Sequence, residues 1–419
     1  MPKERVAVVG AGVAGLTAAY LLQRRYDVTL FEGEPRLGGH AHTHDVVTDD
    51  AGLVAVDSGF IVHNRETYPS LLRLFAELDV ATQPTEMSMS VTCRECGLEY
   101  AGARGLGGLF ARARSAVRPA YLRMLTEVTR FHRAARHHLA EGDDAVSLRA
   151  FLSAGGYSSY FVAHFVVPLV SAVWSAAPGD ALLYPARYLF AFLSNHGMLS
   201  VTGSPQWWTV TGGSRTYVER AAKHLTAVET ASPIRAVTRH PDGVDLYDDA
   251  AGVHRFDRVV IATHADTALS LLTDPTDAER AALGSFRYSD NPTVLHTDAA
   301  VLPSAARARA SWNYLLPSCA ARSDHVLVSY DLTRLQQLPT ATPHLVTLNP
   351  QVDIASDAVI AEMVYQHPIF DAASVAAQQL LPDLNDGRTA YAGAYHGWGF
   401  HEDGCRSGVD AAASFGVTW

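Results

Sequence analysis

The chain has 419 residues, 48% hydrophobic, 18% charged and 9% aromatic, a globular composition well away from disordered or fibrous classes and long enough for two or three domains. Its net charge of −10 excludes a general nucleic-acid binder. Four cysteines (Cys93, Cys96, Cys319, Cys405) are too few and too scattered for a disulfide framework, which fits a reducing compartment.

The N-terminus enters an apolar strand and a glycine turn, with no separate apolar leader or small-residue cleavage site. The most apolar internal run, Phe165 to Trp174, contains Pro168 and falls short of the ~20 residues a spanning helix needs. A soluble, cytoplasmic protein is expected. Only two lysines occur, Lys3 and Lys223, and this arginine- and alanine-rich usage is that of a GC-rich bacterial genome.

Residues 5–9 read as a short buried strand. Gly10-x-Gly12-x-x-Gly15 follows, then a helix of good formers from Leu16 to Arg25, then a second strand from Val28 to Glu32. The three together make a βαβ unit. Its glycines permit a tight turn, close backbone approach to a pyrophosphate and close helix–strand packing. The free N–H groups of the helix N-terminus suit phosphates, and Glu32, 17 residues after Gly15, is placed to accept from ribose hydroxyls. Just beyond it, Arg36-x-Gly38-Gly39-His40 lets a second backbone segment approach the dinucleotide, which a plain nicotinamide dehydrogenase does not need.

A helical block is expected from about Gly105 to His196, and a strand-rich part from Val201. Residues 257–263 form another buried parallel-type strand. Short β-like runs follow at Pro292 to His296, His325 to Tyr330 and His344 to Leu348. The last 30 residues return to strand, glycine turn and helix, from Thr389 through Gly393 to Gly404 and beyond. No internal repeat or long linker appears, so the domains are expected to interleave.

The glycine motif, the Arg-x-Gly-Gly stretch and the C-terminal strand–glycine–helix segment together resemble the flavin-containing amine oxidase superfamily, which includes monoamine oxidases, phytoene-type desaturases and protoporphyrinogen oxidase. Gly38-Gly-His-Ala-His-Thr43, Val56-Asp-Ser-Gly-Phe-Ile-Val62, Val210-Thr-Gly-Gly-Ser-Arg215, Ala262-Thr-His-Ala265 and Gly399-Phe-His-Glu-Asp-Gly404 are more similar to a bacterial subgroup described only as NAD/FAD-binding proteins. Members often accompany cyclopropane-fatty-acid-synthase-like proteins. The resemblance implies an α/β fold: a Rossmann-like FAD-binding domain from 1–80, 200–285 and 385–419, interleaved with an α+β substrate domain from a helical 81–199 and a β-containing 286–384. It implies non-covalent FAD. By resemblance Gly10, Gly12, Gly15 and Glu32 hold its ADP half, and Arg36, Gly38 and Gly39 lie beside the pyrophosphate and flavin. His40 stands where the family often has arginine. Ile234 offers backbone to adenine. Gly393, Glu402, Asp403 and Gly404 lie near the ribityl chain and ring.

His396, Trp398, Phe400 and His401 fall where the superfamily meets substrate and are the catalytic candidates. Trp207 and Trp208 are candidate cavity walls, as are Tyr184, Asn195 and His196. The amine oxidases carry a lysine near the flavin, and neither lysine here falls in the substrate segments. The expected activity is FAD-dependent oxidation of a hydrophobic, acyl- or lipid-like substrate by hydride transfer to flavin N5. A redox-neutral double-bond isomerase, an amine oxidase and a non-catalytic flavoprotein partner of a lipid-modifying enzyme stay open.

Four further features have plainer readings beside functional ones. Cys93-x-x-Cys96 is half a zinc site or a redox pair by spacing, but no second cysteine pair or spaced histidine pair accompanies it, so it reads as two plain thiols and no metal site is assigned. His40, His42 and His44 alternate, so that His40 and His42 share a strand face as metal ligands would, but the cofactor already explains the segment. Eight arginines between Arg104 and Arg136, against Glu127 alone, form a solvated helix face or a docking patch for acyl carrier protein, CoA or an anionic membrane surface. Leu122, Leu125, Val128, Phe131 and Ala135 would be its buried stripe. Cys405 reads as a packing residue, and is the first suspect should the flavin prove covalent.

Overall fold

Arg5–Val9 lies in the middle of a five-stranded parallel sheet, flanked by Asp27–Phe31 and then Ala227–Glu229 on one side, and by Arg258–Ile261 and then Thr389–Tyr391 on the other. The computed structural model describes residues 3–201, 203–320 and 325–419. Because the chain leaves the central strand to one side and returns on the other, a crevice opens at the C-terminal ends of the strands, where α/β sheets bind ligands. The fold is α/β, as expected.

The first helix runs Val13–Leu22 and starts three residues before its predicted Leu16, so Gly15 lies in its first turn. All but Tyr20 of its residues are buried, because it packs against the sheet, His401–Ser414 and Arg215–Ala222 together. That three-sided burial explains its lack of a polar face. On the other side of the sheet, the antiparallel strands Ile234–His240, Gly243–Asp248 and Val253–Phe256 pack through Phe256 against Phe31, ring centroids 5.9 Å apart.

A second, seven-stranded sheet carries the rest of the cavity. Its order is Val359–Ile369, Arg287–His296, Leu345–Leu348, Val328–Asp331, Trp312–Leu316, Met89–Cys93 and Glu99–Ala101, antiparallel except where Trp312–Leu316 meets Met89–Cys93. Segment 81–199 therefore opens with strands, Thr82–Thr85 among them, before its helices begin. Strands rich in Thr, Ser and Glu lack the apolar runs that would announce them. A small sheet of His63–Asn64, Trp207–Val210 and Thr82–Thr85 joins the two halves. The hairpin Thr43–Thr48/Gly52–Asp57, absent from the sequence reading, leads up to it.

Helix Pro119–Glu141 buries Tyr121, Met124, Glu127, Phe131, His132 and Ala135. Leu122 is exposed, one position off the true stripe, and Leu125 and Val128 are only partly buried. Among the described residues, no helix is long and apolar enough to cross a membrane.

Candidate active site at the end of the parallel sheet

The glycine turn is built by contacts that exclude side chains. Gly10 has φ 101°, donates its N–H to the Phe31 carbonyl at 2.8 Å, and would place a Cβ 2.7 Å from the Ala262 carbonyl oxygen. A Cβ on Gly15 would lie 1.9 Å from the Gly10 carbonyl oxygen, so this third glycine serves packing and stands off the cavity wall. Gly12 differs. Its φ of −70° suits any residue, and a Cβ there would meet nothing within 4 Å. Only a group arriving from outside the chain needs that space.

Glu32 directly follows strand Asp27–Phe31 with both oxygens engaged: Oε2 accepts from the Ala11 N–H at 2.8 Å and Oε1 from the Glu34 N–H at 2.9 Å. The carboxylate thus stands at the turn's mouth, where its remaining lone pairs suit a ribose. Glu32→Ala is expected to weaken FAD binding by about 10–100-fold, from the ~1.5–3 kcal/mol of charge-assisted hydrogen bonds removed. Titration of stripped protein with FAD measures it, and unchanged affinity would remove Glu32 from the site.

Gly38 donates to the Ala11 carbonyl at 2.9 Å and brings the second segment alongside, with Gly39 against Gly12. Arg36 does not reach into the cavity. Its Nη1 donates to the Gly39 carbonyl at 2.7 Å and its Nη2 pairs with Glu34 at 2.9 Å, so it shapes the loop instead. Gly10, Gly12, Glu32, Gly38, Gly39, His40 and Gly393 all face one cavity of about 620 Å³. These residues fit FAD: two close-approach glycine segments, a helix N-terminus, an acidic strand end, and an unfilled cradle at Gly12. The buried His40 Nε2, which has no partner in the protein, adds a free polar atom.

Beyond the glycines the cavity turns aromatic, walled by Trp174, Phe192, Trp207, Trp312, Tyr330 and Phe400. Histidines 40, 264, 367 and 401 also line it. Burial pushes each down: His40 well below the usual range, His264 lowered, His367 to about 4 and His401 to about 3. All four are neutral at pH 7. The only charged side chains on the described wall are Glu32 and Glu34, at the glycine end. His401 stacks on Phe60 at 3.7 Å and its Nε2 sits 3.2 Å from the Tyr217 hydroxyl.

Of the four catalytic candidates, Phe400 and His401 face the cavity and His396 and Trp398 do not. His396 is buried against Tyr395, and burial holds its imidazole at about 4. The Trp398 carbonyl accepts from Trp174 Nε1 at 2.9 Å, so Trp398 acts through backbone that fixes a wall residue.

Three cofactor candidates near the C-terminus are also placed differently. Glu402 accepts from the Ser70 and Leu71 N–H groups at 3.0 and 2.9 Å, capping the helix Pro69–Glu77. Asp403 accepts from the Phe400 N–H at 3.1 Å and pairs with Arg406 at 3.0 Å, capping its own helix. A Cβ on Gly404 would lie 2.7 Å from Val13 Cγ1, so this glycine lets two helices close. Ile234 is off the wall, in a strand whose approach is tied to Glu32: the Ser232 N–H donates to the Glu32 carbonyl at 2.9 Å.

Of the aromatic guesses, Trp207 is on the wall, while Trp208 faces outward under the Arg65 guanidinium at 3.8 Å. Tyr184 is buried elsewhere and Asn195 is exposed. His196 stands behind the wall, stacked on Phe192 at 4.0 Å. The Cys405 thiol is buried against Thr17 at 3.5 Å, away from the cavity, and cannot reach a flavin there. Trp174, Trp312, Tyr330, Tyr365 and His367 were missed. Only Tyr365 and His367, two apart and so on one face of a strand, carried a signal.

The arginine-rich segment is largely engaged within the chain. Arg104 pairs with Glu86 and Arg112 with Glu99, both at 2.8 Å, while Arg123 and Arg130 share Glu127. Arg114, Arg118 and Arg136 donate to backbone carbonyls of Gly97, Cys96 and Leu199.

Residues 13–296 match the family model of flavin containing amine oxidoreductases. A Mycobacterium tuberculosis protein described as a flavin-containing monoamine oxidase is 31% identical over 252 residues, 58% of this chain. The match spans about half the length of that relative, 53%. Among solved structures, a CLA-producing fatty acid isomerase from P. acnes superposes with a TM-score of 0.68 at 16% identity, covering 98% of both chains. Cyclohexylamine oxidase from Brevibacterium oxydans does so at 0.68 and 17%, covering 99% of this chain and 98% of that one. At these identities the structures share the fold.

Proposed function

The chain belongs to the flavin-containing amine oxidoreductase family, and from that membership we propose that it is an FAD-dependent oxidoreductase whose substrate is hydrophobic and uncharged at its reacting part. One observation carries the substrate class: among the described residues, the aromatic end of the cavity presents no carboxylate, lysine or arginine, and its histidines are held neutral by burial. An ammonium buried there would lack a counter-charge, which costs several kcal/mol. The same fold serves an amine oxidase and a fatty acid isomerase, so fold alone does not choose between them.

FAD, when bound, supplies a ring that accepts hydride from a C–H bond held over it. The chain's own residues bind, orient and dehydrate. Glycines 10, 12, 38 and 39 admit the dinucleotide, and Glu32 fixes its ribose. Trp174, Phe192, Trp207 and Phe400 exclude water and orient an apolar chain or ring. The Tyr217 hydroxyl lies 3.2 Å from His401 Nε2 and orients that imidazole beside Phe400, while burial keeps it neutral.

Primary amines and polyamines are expected to leave the flavin spectrum unchanged under anaerobic conditions. Uncharged long-chain compounds (acyl esters, acyl thioesters, polyenes) are the class in which bleaching is expected. Stopped-flow absorbance checks both. Rapid bleaching by a simple amine would overturn the reading in favour of amine oxidation.

A further inference from the structure

Away from the flavin cavity, the fold gathers three of the four cysteines around one histidine. Cys93, Cys96, Cys319 and His164 present ligand atoms that all lie within 4.8 Å of one another. The Sγ atoms of Cys93 and Cys319 are 3.7 Å apart, and Cys96 Sγ is 3.7 Å from His164 Nε2. A tetrahedral zinc with Zn–S of about 2.3 Å and Zn–N of about 2.0 Å has S–S edges near 3.8 Å and S–N edges near 3.5 Å. We propose that these four residues are a structural zinc site.

Each ligand is set by its own local structure. The Cys93–Cys96 turn is closed by the Cys93 N–H donating to the Leu98 carbonyl at 2.9 Å, with Gly97 at φ 63° where a side chain would be strained. Cys319 follows strand Trp312–Leu316, and its N–H donates to Glu95 Oε2 at 2.8 Å, which ties its loop to that turn. His164 lies on a π-helical turn, Val162–Val166, a departure from α geometry often found at functional sites. Its Nδ1 is 3.0 Å from the Tyr160 carbonyl. A carbonyl only accepts, so the proton sits on Nδ1 and the Nε2 lone pair is left facing the thiols. This is the outer hydrogen bond that metal-binding histidines use.

The charge also balances. Three thiolates and one Zn²⁺ leave −1, formed by release of three thiol protons. Arg118 donates to the Cys96 carbonyl at 2.7 Å, and its buried Nη1 has no partner. Four protein ligands close the shell, which marks a structural rather than a catalytic centre. The ligands come from three distant stretches of chain. They pin the second sheet to the helical stretch that continues through Val167–Trp174 to the cavity wall. The site is independent of the flavin reading, since none of its ligands lines that cavity.

The full chain, purified without a histidine tag, is expected to hold one zinc per molecule by mass-spectrometric metal analysis. That zinc should survive dialysis against EDTA and leave on mercurial titration. Replacement by Co²⁺ should give the intense visible bands of tetrahedral cobalt thiolate. Cys319→Ser should cut retained zinc at least tenfold, and Cys319→His should restore it. If Cys319→Ser fails to fold, the wild-type cobalt spectrum decides. The proposal is overturned if reduced wild-type protein given one equivalent of ZnCl₂ elutes from gel filtration without it. It is also overturned if Cys319→Ser retains zinc equally, or if the folded, metal-free protein carries a Cys93–Cys319 disulfide.

Discussion

Gly15→Ala and Gly12→Ala are expected to fail in opposite ways. The first places a methyl 1.9 Å from the Gly10 carbonyl oxygen, a backbone atom that cannot step aside without moving the first helix off the sheet. Overpacking of this kind costs about 3 kcal/mol or more, which lowers Tm by roughly 3–4 °C or more in a chain of this size. The second meets nothing within 4 Å and leaves the flavin-free chain's melting temperature within about 1–2 °C of wild type. It fills the cradle at the helix N-terminus, however, and should abolish retention of FAD on gel filtration. Thermal melts of stripped protein with flavin quantitation separate the two. A Gly12→Ala protein that stays yellow would show that the dinucleotide does not approach there. Acid precipitation of wild type is expected to release the flavin into the supernatant, since Cys405 faces Thr17.

Acid is the second large effect. Burial holds His63, His367 and His396 at about 4 and His401 at about 3, below the ordinary 6.5. Below pH 6.5 the unfolded chain therefore binds protons that the folded chain refuses. The stability these groups confer is fully present above pH 6.5 and is lost as pH falls toward 4. At pH 5.5 each removes about 1.4 kcal/mol. Asp57 and Asp403, which burial pushes up to about 6, act with the opposite sign and return roughly 1 kcal/mol each. These six groups together remove roughly 4 kcal/mol, a large part of an ordinary domain's stability, and His42, lowered to about 3, and His132 and His296, lowered to about 4, add to the loss. Urea denaturation at pH 7.5 and 5.5, with and without added FAD, measures it. Equal stability at both would contradict a buried neutral cluster. Both ring nitrogens of His63 are buried without partners, so His63→Phe should remove its own share of the pH dependence, about 1.4 kcal/mol between pH 7.5 and 5.5, and leave the rest.

The glycine-turn end of the cavity was legible because its geometry is local. Gly10, Gly12 and Glu32 are fixed by one turn and the strand beside it, within some 20 residues of chain. The C-terminal segment was legible as strand, turn and helix, but not in its roles. Glu402 and Asp403 look like cofactor contacts in sequence, yet their carboxylates cap helices, a choice set by the neighbouring Pro69–Glu77. The wall was least legible. Trp174 comes from a helix, Trp312 and Tyr330 from a pair of strands far from it in sequence, and nothing in their own neighbourhoods distinguishes them from core. Cys93 and Cys96 were read as plain thiols for the same reason: Cys319 and His164 reach them only through the folded sheet and the π-helical turn.

The parallel sheet also dictates when the molecule can fold. Its outer strand Thr389–Tyr391 and the helix His401–Ser414 complete the burial of Val13–Leu22, which has no polar face of its own. At about 5–20 residues per second, a ribosome needs roughly 20–80 seconds to make the intervening chain. Throughout that time a sticky N-terminal helix waits for its partner. Burial of this helix therefore waits until Ser414 has been made, and the nascent chain exposes apolar surface until then. Synthesis stopped at residue 385 should yield aggregate rather than a smaller flavoprotein.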